Sequence, residues 1–293
     1  MSEGIWVESG RQKNVRVYLH WWKNKWKTEL PPKGYVWIVH GMGEHGGRYA
    51  ELAIFLTGLG FDVLAPDLPG YGKTRREGGA PKPWPIPAAR EQLQDLLEYW
   101  NLRGPFAAKG VSKVPWFLIG HSLGALTCLD WILAGKPSEK SVDFAKRVFI
   151  SAPPLKLRMA VPVWKETLAN VVGGMLPDLE VPTGMAPGEL SRDAANGAAY
   201  ERDPDVHGTT TPRVFLSMNA AAANVIAKPH DVEIPICLAV GTDDPVVDPA
   251  AVKDYFTSLG THKLYLEFPS NKHEIFNELG RARCFEAVAS WFL

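Results

Sequence analysis

Residues 115–135 read PWFLIGHSLGALTCLDWILAG and join three local patterns in an order that decides the fold. Residues 116–119 form a continuously apolar run of strand length, and residues 125–133 place apolar side chains at helical spacing. Between them, GHSLG fits G-x-S-x-G, in which a serine sits on a sharp turn from strand to helix. The stretch therefore predicts a nucleophile elbow centred on Ser122.

The two glycines of the elbow have a steric reason. A serine turned sharply out of a strand has strained backbone, so the residues two before and two after it must be small. The first helix amides, that of Leu123 above all, then point at an anion forming beside the hydroxyl. G-x-S-x-G alone is common in loops without chemistry, and the flanking strand and helix are what favour an elbow.

Composition narrows the class of protein. The chain has 293 residues, 46% hydrophobic and 22% charged, which is ordinary for a globular protein with one large core. Lys plus Arg and Asp plus Glu balance at 32 each, so we expect no nucleic-acid partner. The three cysteines are widely spaced in apolar segments, which predicts reduced core thiols and neither a disulfide framework nor a metal site: Cys128, Cys237 and Cys284.

The N-terminus lacks a basic segment followed by an apolar one, and no run approaches about 18 apolar residues. We therefore expect a cytoplasmic chain without a membrane span. Trp21, Trp22 and Trp26 lie among lysines, which is typical of half-buried indoles at a strand end, with a membrane-interface cluster as the alternative.

Strand and helix patterns alternate along most of the chain. After an alternating hairpin at residues 5–22, short apolar runs predict buried parallel strands at 35–39, 61–65, 116–119, 148–151, 236–240 and 264–268. Helical patterns fall between and after them, at 48–59, 88–102, 123–133, 250–259 and 281–292. This order predicts an α/β fold with a mostly parallel central sheet flanked by helices.

The alternation stops between residues 152 and 228, an interval rich in Pro, Gly, Ala and Met. Its length is too great for one crossover, so we predict an inserted helical lid over 152–228 and a core formed by 1–151 and 229–293. Residues 161–176 and 214–228 are the amphipathic helices expected in it. A second interval, 68–87, is dense in Gly and Pro and predicts an irregular surface loop.

A nucleophilic serine needs a base and a group that orients the base. GTDDPVVD follows the strand at 236–240, and PSNKHEIFNE follows the strand at 264–268, so an acid and His273 end neighbouring strands. Because parallel strands end at one sheet edge, these groups fall beside the elbow. The order Ser, acid, His is that of α/β hydrolases. The spacing G-x-x-D-x-x-V favours Asp244 as the orienting acid, with Asp243 as the alternative.

Two other histidines have structural interpretations. His40 lies in the turn after the strand at 35–39, where we expect it to hold the backbone that presents the Met42 N–H as a second oxyanion donor. His121, beside the nucleophile, is expected to pack or hydrogen-bond within the elbow. Only His273 has the strand-end position of a general base.

Motifs along nearly the whole chain resemble the monoacylglycerol lipase and lysophospholipase family of α/β hydrolases. HGMGEHGGRY, the most specific piece, begins at residue 40, and GHSLGA covers 120–125. The further motifs occur in the family's order: APDLPGYGKTRR, SAPPLKL, LSRD, DPDVH, GTDDPVVD and HEIFNE. The elbow of this family usually reads GHSMGG, and the changes here leave its backbone donor intact.

The resemblance implies catalysis by Ser122, Asp244 and His273, with an oxyanion hole from the N–H groups of Met42 and Leu123, and no metal or organic cofactor. It also implies that substrate contacts come from Glu44, Arg48, Tyr200 and Phe276. Glu44 and Arg48 are four apart, so a plain ion pair is the alternative. The family usually carries a second histidine where Phe276 stands, and an apolar ring there weakens the case for strict monoglyceride preference.

The function expected from these residues is hydrolysis of lipid-like esters, such as monoacylglycerols or lysophospholipids, through an acyl-enzyme. A broad or short-chain carboxylesterase, or a peptidase-like serine hydrolase, is the first alternative, and a catalytically silent ligand-binding fold is the second. Apolar lid residues are expected to line an acyl tunnel and to give the lid peripheral membrane contact: Val161, Val163, Trp164, Leu168, Val171, Val172, Met175 and Leu176. Serine at the elbow disfavours chemistry that needs a carboxylate nucleophile.

Overall fold

The computed structural model describes residues 2–25, 30–105, 114–135, 145–158, 175–260 and 262–293. Its strands in chain order are β1 (Glu3–Glu8), β2 (Arg16–Trp22), β3 (Tyr35–Val39), β4 (Asp62–Pro66), β5 (Trp116–His121), β6 (Arg147–Ser151), β7 (Val181–Pro182), β8 (Thr209–Thr210), β9 (Ile236–Gly241) and β10 (Lys263–Phe268). Eight of them form one sheet in the order β1-β2-β4-β3-β5-β6-β9-β10. The hairpin and all six predicted strands are therefore confirmed.

The helices in the described ranges are α1 (Ala50–Gly58), α2 (Gly72–Glu77), α3 (Ile86–Arg103), α4 (Leu123–Leu133), α5 (Pro187–Leu190), α6 (Ala194–Arg202), α7 (Pro212–Ala227), α8 (Pro249–Ser258) and α9 (Ala282–Phe292). Short 3-10 turns precede α1 at Gly46–Tyr49, follow α7 at Pro229–Asp231 and precede α9 at Ile275–Asn277. Each helix predicted outside the inserted interval is present within a few residues of its expected bounds.

Parallel pairing runs from β4 through β3, β5, β6 and β9 to β10, and the β1–β2 hairpin adds to β4 antiparallel. Strands β3, β4, β5 and β9 are buried along their whole length, as the continuous apolar runs predict. Because these strands are parallel, the loops after β3, β5, β9 and β10 meet at one edge of the sheet. That edge carries the candidate site.

Apolar clusters cover both faces of the sheet. One joins Trp37, Trp100 and Leu126 with helices α3, α4 and α7, and the other joins Leu56 and Phe285 with helices α1 and α9. Trp21 and Trp22 are buried, which rules out the membrane-interface interpretation for these two indoles, and Trp26 lies outside the described residues.

The interval between β6 and β9 adds no strand to the central sheet within its described residues, since β7 and β8 pair only with each other. The helix predicted at 214–228 is present as α7, and its residues Val214, Met218 and Val225 pack in the cluster that covers α3 and α4. It therefore acts as the crossover helix that the parallel β6 and β9 require. The helix predicted at 161–176, with the lid residues from Val161 to Val172, lies outside the described residues.

The interval 68–87 is not the irregular surface loop that its glycines and prolines suggest. It contains helix α2, and Leu68 and Tyr71 are buried in the core. The Asp67 carboxylate accepts the Lys73 N–H at 2.9 Å, which satisfies a donor in the first turn of α2. A Cβ on Gly72 would meet that same carboxylate, so the glycine permits the close approach.

The three cysteines are buried free thiols. No helix within the described ranges has both the length and the apolar character needed to cross a membrane.

Candidate active site

The backbone around Ser122 has the strained geometry of a nucleophile elbow. Ser122 has φ 51° and ψ −120° between strand β5 and helix α4. A Cβ on Gly120 would lie 2.7 Å from the Cα of Ala125, and a Cβ on Gly124 would collide with the Val39 carbonyl oxygen. Both glycines of GHSLG are thus required by close backbone approach, and Ser122 is partly exposed at the sheet edge.

Ser122, His273 and Asp244 form one hydrogen-bonded chain. His273 Nε2 lies 2.9 Å from Ser122 Oγ, and His273 Nδ1 lies 2.8 Å from Asp244 Oδ2. The other oxygen of Asp244 accepts the N–H groups of Val246 at 2.8 Å and Val247 at 2.9 Å. An ionised carboxylate only accepts, so Nδ1 carries the proton and Nε2 is free to accept from the serine hydroxyl.

The loops that carry the acid and the histidine are bonded to each other. The Asp243 N–H donates to the Asn271 carbonyl oxygen at 3.0 Å, and the Ser270 N–H donates to the Thr242 hydroxyl at 2.8 Å. The side chain of Asp243 points into solvent, whereas Asp244 is buried. Of the two adjacent acids, only Asp244 is placed to orient the imidazole.

The pKa of His273 is raised above its ordinary value, and the pKa of Asp244 is lowered below its ordinary value. Burial lowers the pKa of His273, but the charge and hydrogen bond of Asp244, with the charges of Glu274 and Glu44, outweigh it and raise the pKa overall. Burial raises the pKa of Asp244, but His273 and the two amides lower it overall. These electrostatics stabilise an imidazolium next to a carboxylate, which is the ion pair that forms when the base takes a proton.

His40 holds the turn after β3. Its Nδ1 lies 2.7 Å from the Gly41 carbonyl oxygen, and its Nε2 accepts the Leu68 N–H at 2.9 Å. The ring is fully buried, so it serves the structure of this turn. Met42, in the same turn, packs against the apolar cluster that contains Leu123.

His121 is neutral in this environment. Burial first, and the charge of His273 second, lower its pKa to about 4. Its Nδ1 lies 3.1 Å from Ser151 Oγ, and its ring centroid lies 4.9 Å from that of His273. The residue therefore packs and hydrogen-bonds within the elbow.

Glu44 and Arg48 form an ion pair, and the pair belongs to a larger buried network. Arg48 Nη1 donates to Glu44 Oε2 at 2.7 Å, while Glu44 Oε1 accepts the Gly41 N–H and the Tyr49 hydroxyl, each at 2.7 Å. On its other side Arg48 makes a two-pronged contact with Glu274, at 2.9 and 2.7 Å. Glu44 thereby ties the turn after β3 to the guanidinium.

The two aromatic residues assigned to the substrate pocket have different positions. Phe276 is a core residue whose ring packs 5.9 Å from Tyr49 and 6.0 Å from Phe149, and it is only 2% exposed. The 3-10 turn directs this ring into the core, and its contact with substrate stays a prediction. Tyr200 is half-buried, and its ring covers the Arg48 guanidinium at 4.8 Å.

Glu274 is the residue of this site to which sequence reasoning assigned no role. It directly follows His273, its carboxylate binds Arg48 and accepts from Asn196 at 3.0 Å, and its N–H donates to the Leu190 carbonyl oxygen at 2.9 Å. The only available signal was an acid directly after His273 in HEIFNE.

The inserted segment also reaches the turn after β3 directly. His45 Nε2 lies 2.9 Å from Asp203 Oδ2, and the His207 N–H donates to the Gly43 carbonyl oxygen at 2.9 Å. The HGMGEH motif is thus held from the sheet side and from the insertion.

Two clusters in the described ranges have donor atoms close enough to share a metal ion: His20, His45 and Asp67, and His45, Asp203 and Asp205. The Asp67 carboxylate already contacts His20 Nε2 at 3.0 Å and accepts the N–H groups of Gly46 and Lys73, each at 2.9 Å. Hydrogen bonds therefore account for this carboxylate, and in the second cluster His45 Nε2 already contacts the Asp203 carboxylate at 2.9 Å.

Comparison with known proteins places this geometry in a family. The family model described as "Serine aminopeptidase, S33" matches residues 30–280. The chain is 25% identical over 269 residues to "Phospholipase YtpA" of Bacillus subtilis, covering 91% of this chain and 97% of that protein. It is 26% identical over 273 residues to "Monoacylglycerol lipase" of Mycolicibacterium smegmatis, covering 92% and 91%.

Among solved structures, the monoacylglycerol lipase of Paleococcus ferrophilus superimposes with a TM-score of 0.79 at 28% identity, covering 94% of this chain and 97% of that one. The predicted α/β-hydrolase fold is thereby confirmed.

Proposed function

Because this chain belongs to the family described as serine aminopeptidase, S33, within the α/β hydrolases, we propose that it is a serine hydrolase that cleaves carboxylic esters of lipid-like substrates. The observation that carries the proposal is the chain of hydrogen bonds from Ser122 through His273 to Asp244. Relatives named as a phospholipase and as monoacylglycerol lipases, matching over nearly the whole chain, support lipid esters as the substrate class.

The reaction is a two-step acyl transfer. His273 Nε2 takes the proton of the Ser122 hydroxyl as Oγ bonds to the ester carbonyl carbon. The same proton then goes to the alcohol oxygen as the carbon–oxygen bond breaks, which leaves an acyl-serine. Water, deprotonated by His273, attacks the acyl-serine and releases the carboxylic acid. Asp244 keeps the imidazole in the tautomer that can accept and stabilises its charged form.

The oxyanion is assigned to the backbone N–H groups of Met42 and Leu123. Leu123 is the first residue of helix α4, where the amide has no acceptor within the helix. The turn that contains Met42 lies against the nucleophile, since a Cβ on Gly41 would be 3.2 Å from the Ser122 Cβ. Glu44 holds this turn through the Gly41 N–H. Each donor of such a pair contributes about 3 to 4 kcal/mol to transition-state stabilisation.

We propose that apolar side chains around helix α4, which begins at Leu123, line the acyl chain. The apolar cluster that contains α4 includes buried residues of the core and of the inserted interval: Leu123, Leu155, Leu190, Val214 and Met218. Three partly buried side chains pack against it: Met42, Met185 and Tyr200. Each methylene buried there adds about 0.8 kcal/mol. We therefore propose that kcat/KM rises about fourfold per methylene of the acyl chain until the lining is filled.

The inserted interval is proposed to act as a lid. Since α7 packs on α3 and α4, we place the end of the lid before Pro212, inside the predicted 152–228 interval. Polar contacts fasten the described part of the lid to the core, among them Arg75 with Glu180 at 3.0 Å and the Lys82 ammonium with the Asp178 carbonyl oxygen at 3.0 Å.

The lid is also proposed as a peripheral membrane contact. Four apolar side chains within residues 175–181 are exposed: Met175 (80%), Leu176 (57%), Leu179 (46%) and Val181 (37%). Exposed apolar side chains grouped in this way partition into a lipid interface. Leu176→Asp should reduce co-sedimentation with phospholipid vesicles several-fold, whereas Leu102→Asp, at a leucine that is 74% exposed in the last turn of α3, should not. Equal losses in both variants would refute the assignment.

The proposed function is tested with a fluorophosphonate probe and a graded substrate series. Wild-type protein should be labelled at Ser122 and hydrolyse glycerol esters with a rate that increases from butanoyl to long acyl chains, while Ser122→Ala does neither. A maximum at butanoyl would favour a short-chain carboxylesterase. Faster cleavage of aminoacyl anilides than of esters would favour a peptidase, and failure of labelling in folded protein would favour a silent ligand-binding fold.

A further inference from the structure

Arg48 lies between the carboxylates of Glu44 and Glu274. These three buried side chains form a charged layer beside Ser122. Arg48 bonds to Glu44 at 2.7 Å and to both oxygens of Glu274 at 2.9 and 2.7 Å. The exposed fractions of the three side chains are 7% for Arg48, 4% for Glu44 and 5% for Glu274. Two anions and one cation leave this layer with one net negative charge.

The guanidinium has almost no donor capacity left for a ligand. Nη1 donates to Glu44 and Glu274, and Nη2 donates to Glu274 and to Asn196 Oδ1 at 3.1 Å, which uses four of its five N–H groups. The Tyr200 ring covers the guanidinium face at 4.8 Å. Arg48 cannot be turned toward a phosphate without leaving two buried carboxylates unpaired.

The charged layer lies next to the reacting atoms. Glu44 Oε1 bonds to the N–H of Gly41, the residue whose added Cβ would lie 3.2 Å from the Ser122 Cβ. Glu274 is joined by one peptide bond to His273, and its charge and that of Glu44 act on the imidazole. Around the imidazole, Asp244 adds a further negative charge at Nδ1, and His121 adds no positive one because burial keeps it neutral.

We propose that Glu274 is a specificity-determining residue for the alcohol portion of the ester. By neutralising Arg48 it gives the charged layer a net negative charge, so the site excludes esters with phosphorylated head groups and accepts neutral ones. The inference rests on the proposed function and selects, among lipid esters, uncharged or cationic alcohol portions. A repulsion between unit charges several ångströms apart at low effective dielectric corresponds to a discrimination of roughly tenfold or more.

The test compares three oleoyl esters that differ in the charge of the alcohol: 1-oleoylglycerol, neutral; 1-oleoyl-lysophosphatidic acid, anionic; and oleoylcholine, cationic. For Glu274→Gln we expect kcat/KM for the anionic ester, divided by that for the neutral one, to rise roughly tenfold. The cationic ester should lose a comparable factor against the neutral one. Because each value is a ratio, a smaller folded fraction of the variant does not affect it.

Glu51→Gln is the matched control, since Glu51 pairs with Arg281 on the exposed surface and its replacement removes one solvent-screened charge. It should leave both ratios unchanged. Glu274→Asp, which keeps the charge, should restore wild-type ratios. A purely structural role would lower the melting temperature of Glu274→Gln without opposite shifts for the anionic and cationic esters.

A second readout is the acid limb of the pH profile. Glu274 helps to raise the pKa of His273, so Glu274→Gln should move the acid limb of kcat/KM to lower pH, and Glu51→Gln should not. Wild-type protein alone can overturn the proposal, by hydrolysing the anionic and neutral esters equally well. Absence of any ester hydrolysis and of Ser122 labelling would instead overturn the proposed function.

Discussion

Replacing Asp244 by asparagine tests the catalytic geometry most directly. Asparagine has the same shape, and its oxygen can keep accepting the N–H groups of Val246 and Val247. Its NH2 group then faces His273 Nδ1, which must act as an acceptor. The imidazole proton moves to Nε2, the atom that lies 2.9 Å from Ser122 Oγ. The base is thereby held in the tautomer that cannot take the serine proton.

The size of the loss follows from that tautomer. In a serine protease the equivalent substitution lowers kcat about 10⁴-fold, which corresponds to about 5 kcal/mol of activation free energy. Stability changes far less, because two of the three hydrogen bonds to the side chain survive, so we expect about 1 to 2 kcal/mol of unfolding free energy to be lost.

The assay measures kcat/KM for a monoacylglycerol, the rate of fluorophosphonate labelling and the urea midpoint of each variant. Asp243→Asn is the matched control, since it removes an adjacent exposed charge and should retain wild-type activity. If Asp244→Asn kept more than about a tenth of wild-type activity while Asp243→Asn was inactive, the orienting role would belong to Asp243 and the tautomer argument would fail.

Three further predictions concern stability. Gly124→Ala places a methyl group against the Val39 carbonyl oxygen and should cost about 1 to 3 kcal/mol in urea titrations, whereas Gly58→Ala, which meets nothing within 4 Å, should not destabilise the fold. Burial raises the pKa of Glu44, but the charge of Arg48 leads the effects that lower it overall from 4.5 to about 2. Its stabilising contribution is therefore complete above pH 4.5 and is lost as the pH falls toward 2, so urea midpoints should drop across that window and drop less in Glu44→Gln. The three buried thiols should react with a thiol reagent only as the chain unfolds, and rapid reaction in native protein would contradict their burial.

The sheet and the elbow were predictable because local physics fixes them. A strand buried on both faces must be apolar at every position, and a helix covering it must be apolar at helical spacing, so both leave periods in the sequence. The strand ends then locate Asp244 and His273, since parallel strands finish at one edge. The glycines around Ser122 leave a signature of their own, because any larger residue meets backbone there.

The remaining features depend on contacts between distant parts of the chain. Glu274 meets Arg48 across 226 residues, and nothing in either local sequence announces the pair. Phe276 is only three residues after His273, yet a 3-10 turn directs its ring into the core. Helix α2 forms in a stretch of Gly and Pro because Asp67, from outside the helix, accepts an N–H of its first turn. Tertiary partners decide these positions, and local patterns do not encode them.

The charges of Glu44 and Glu274 act both on His273 and on the alcohol portion of the substrate. The carboxylates that neutralise Arg48 also raise the pKa of His273, and Glu44 in addition holds the turn assigned to the oxyanion. A substitution that lets anionic head groups in must therefore lower the pKa of the base as well. Head-group preference and the acid limb of the pH profile should accordingly change together in any variant of the charged layer. A variant that changes only one of them would contradict a common origin of the two effects.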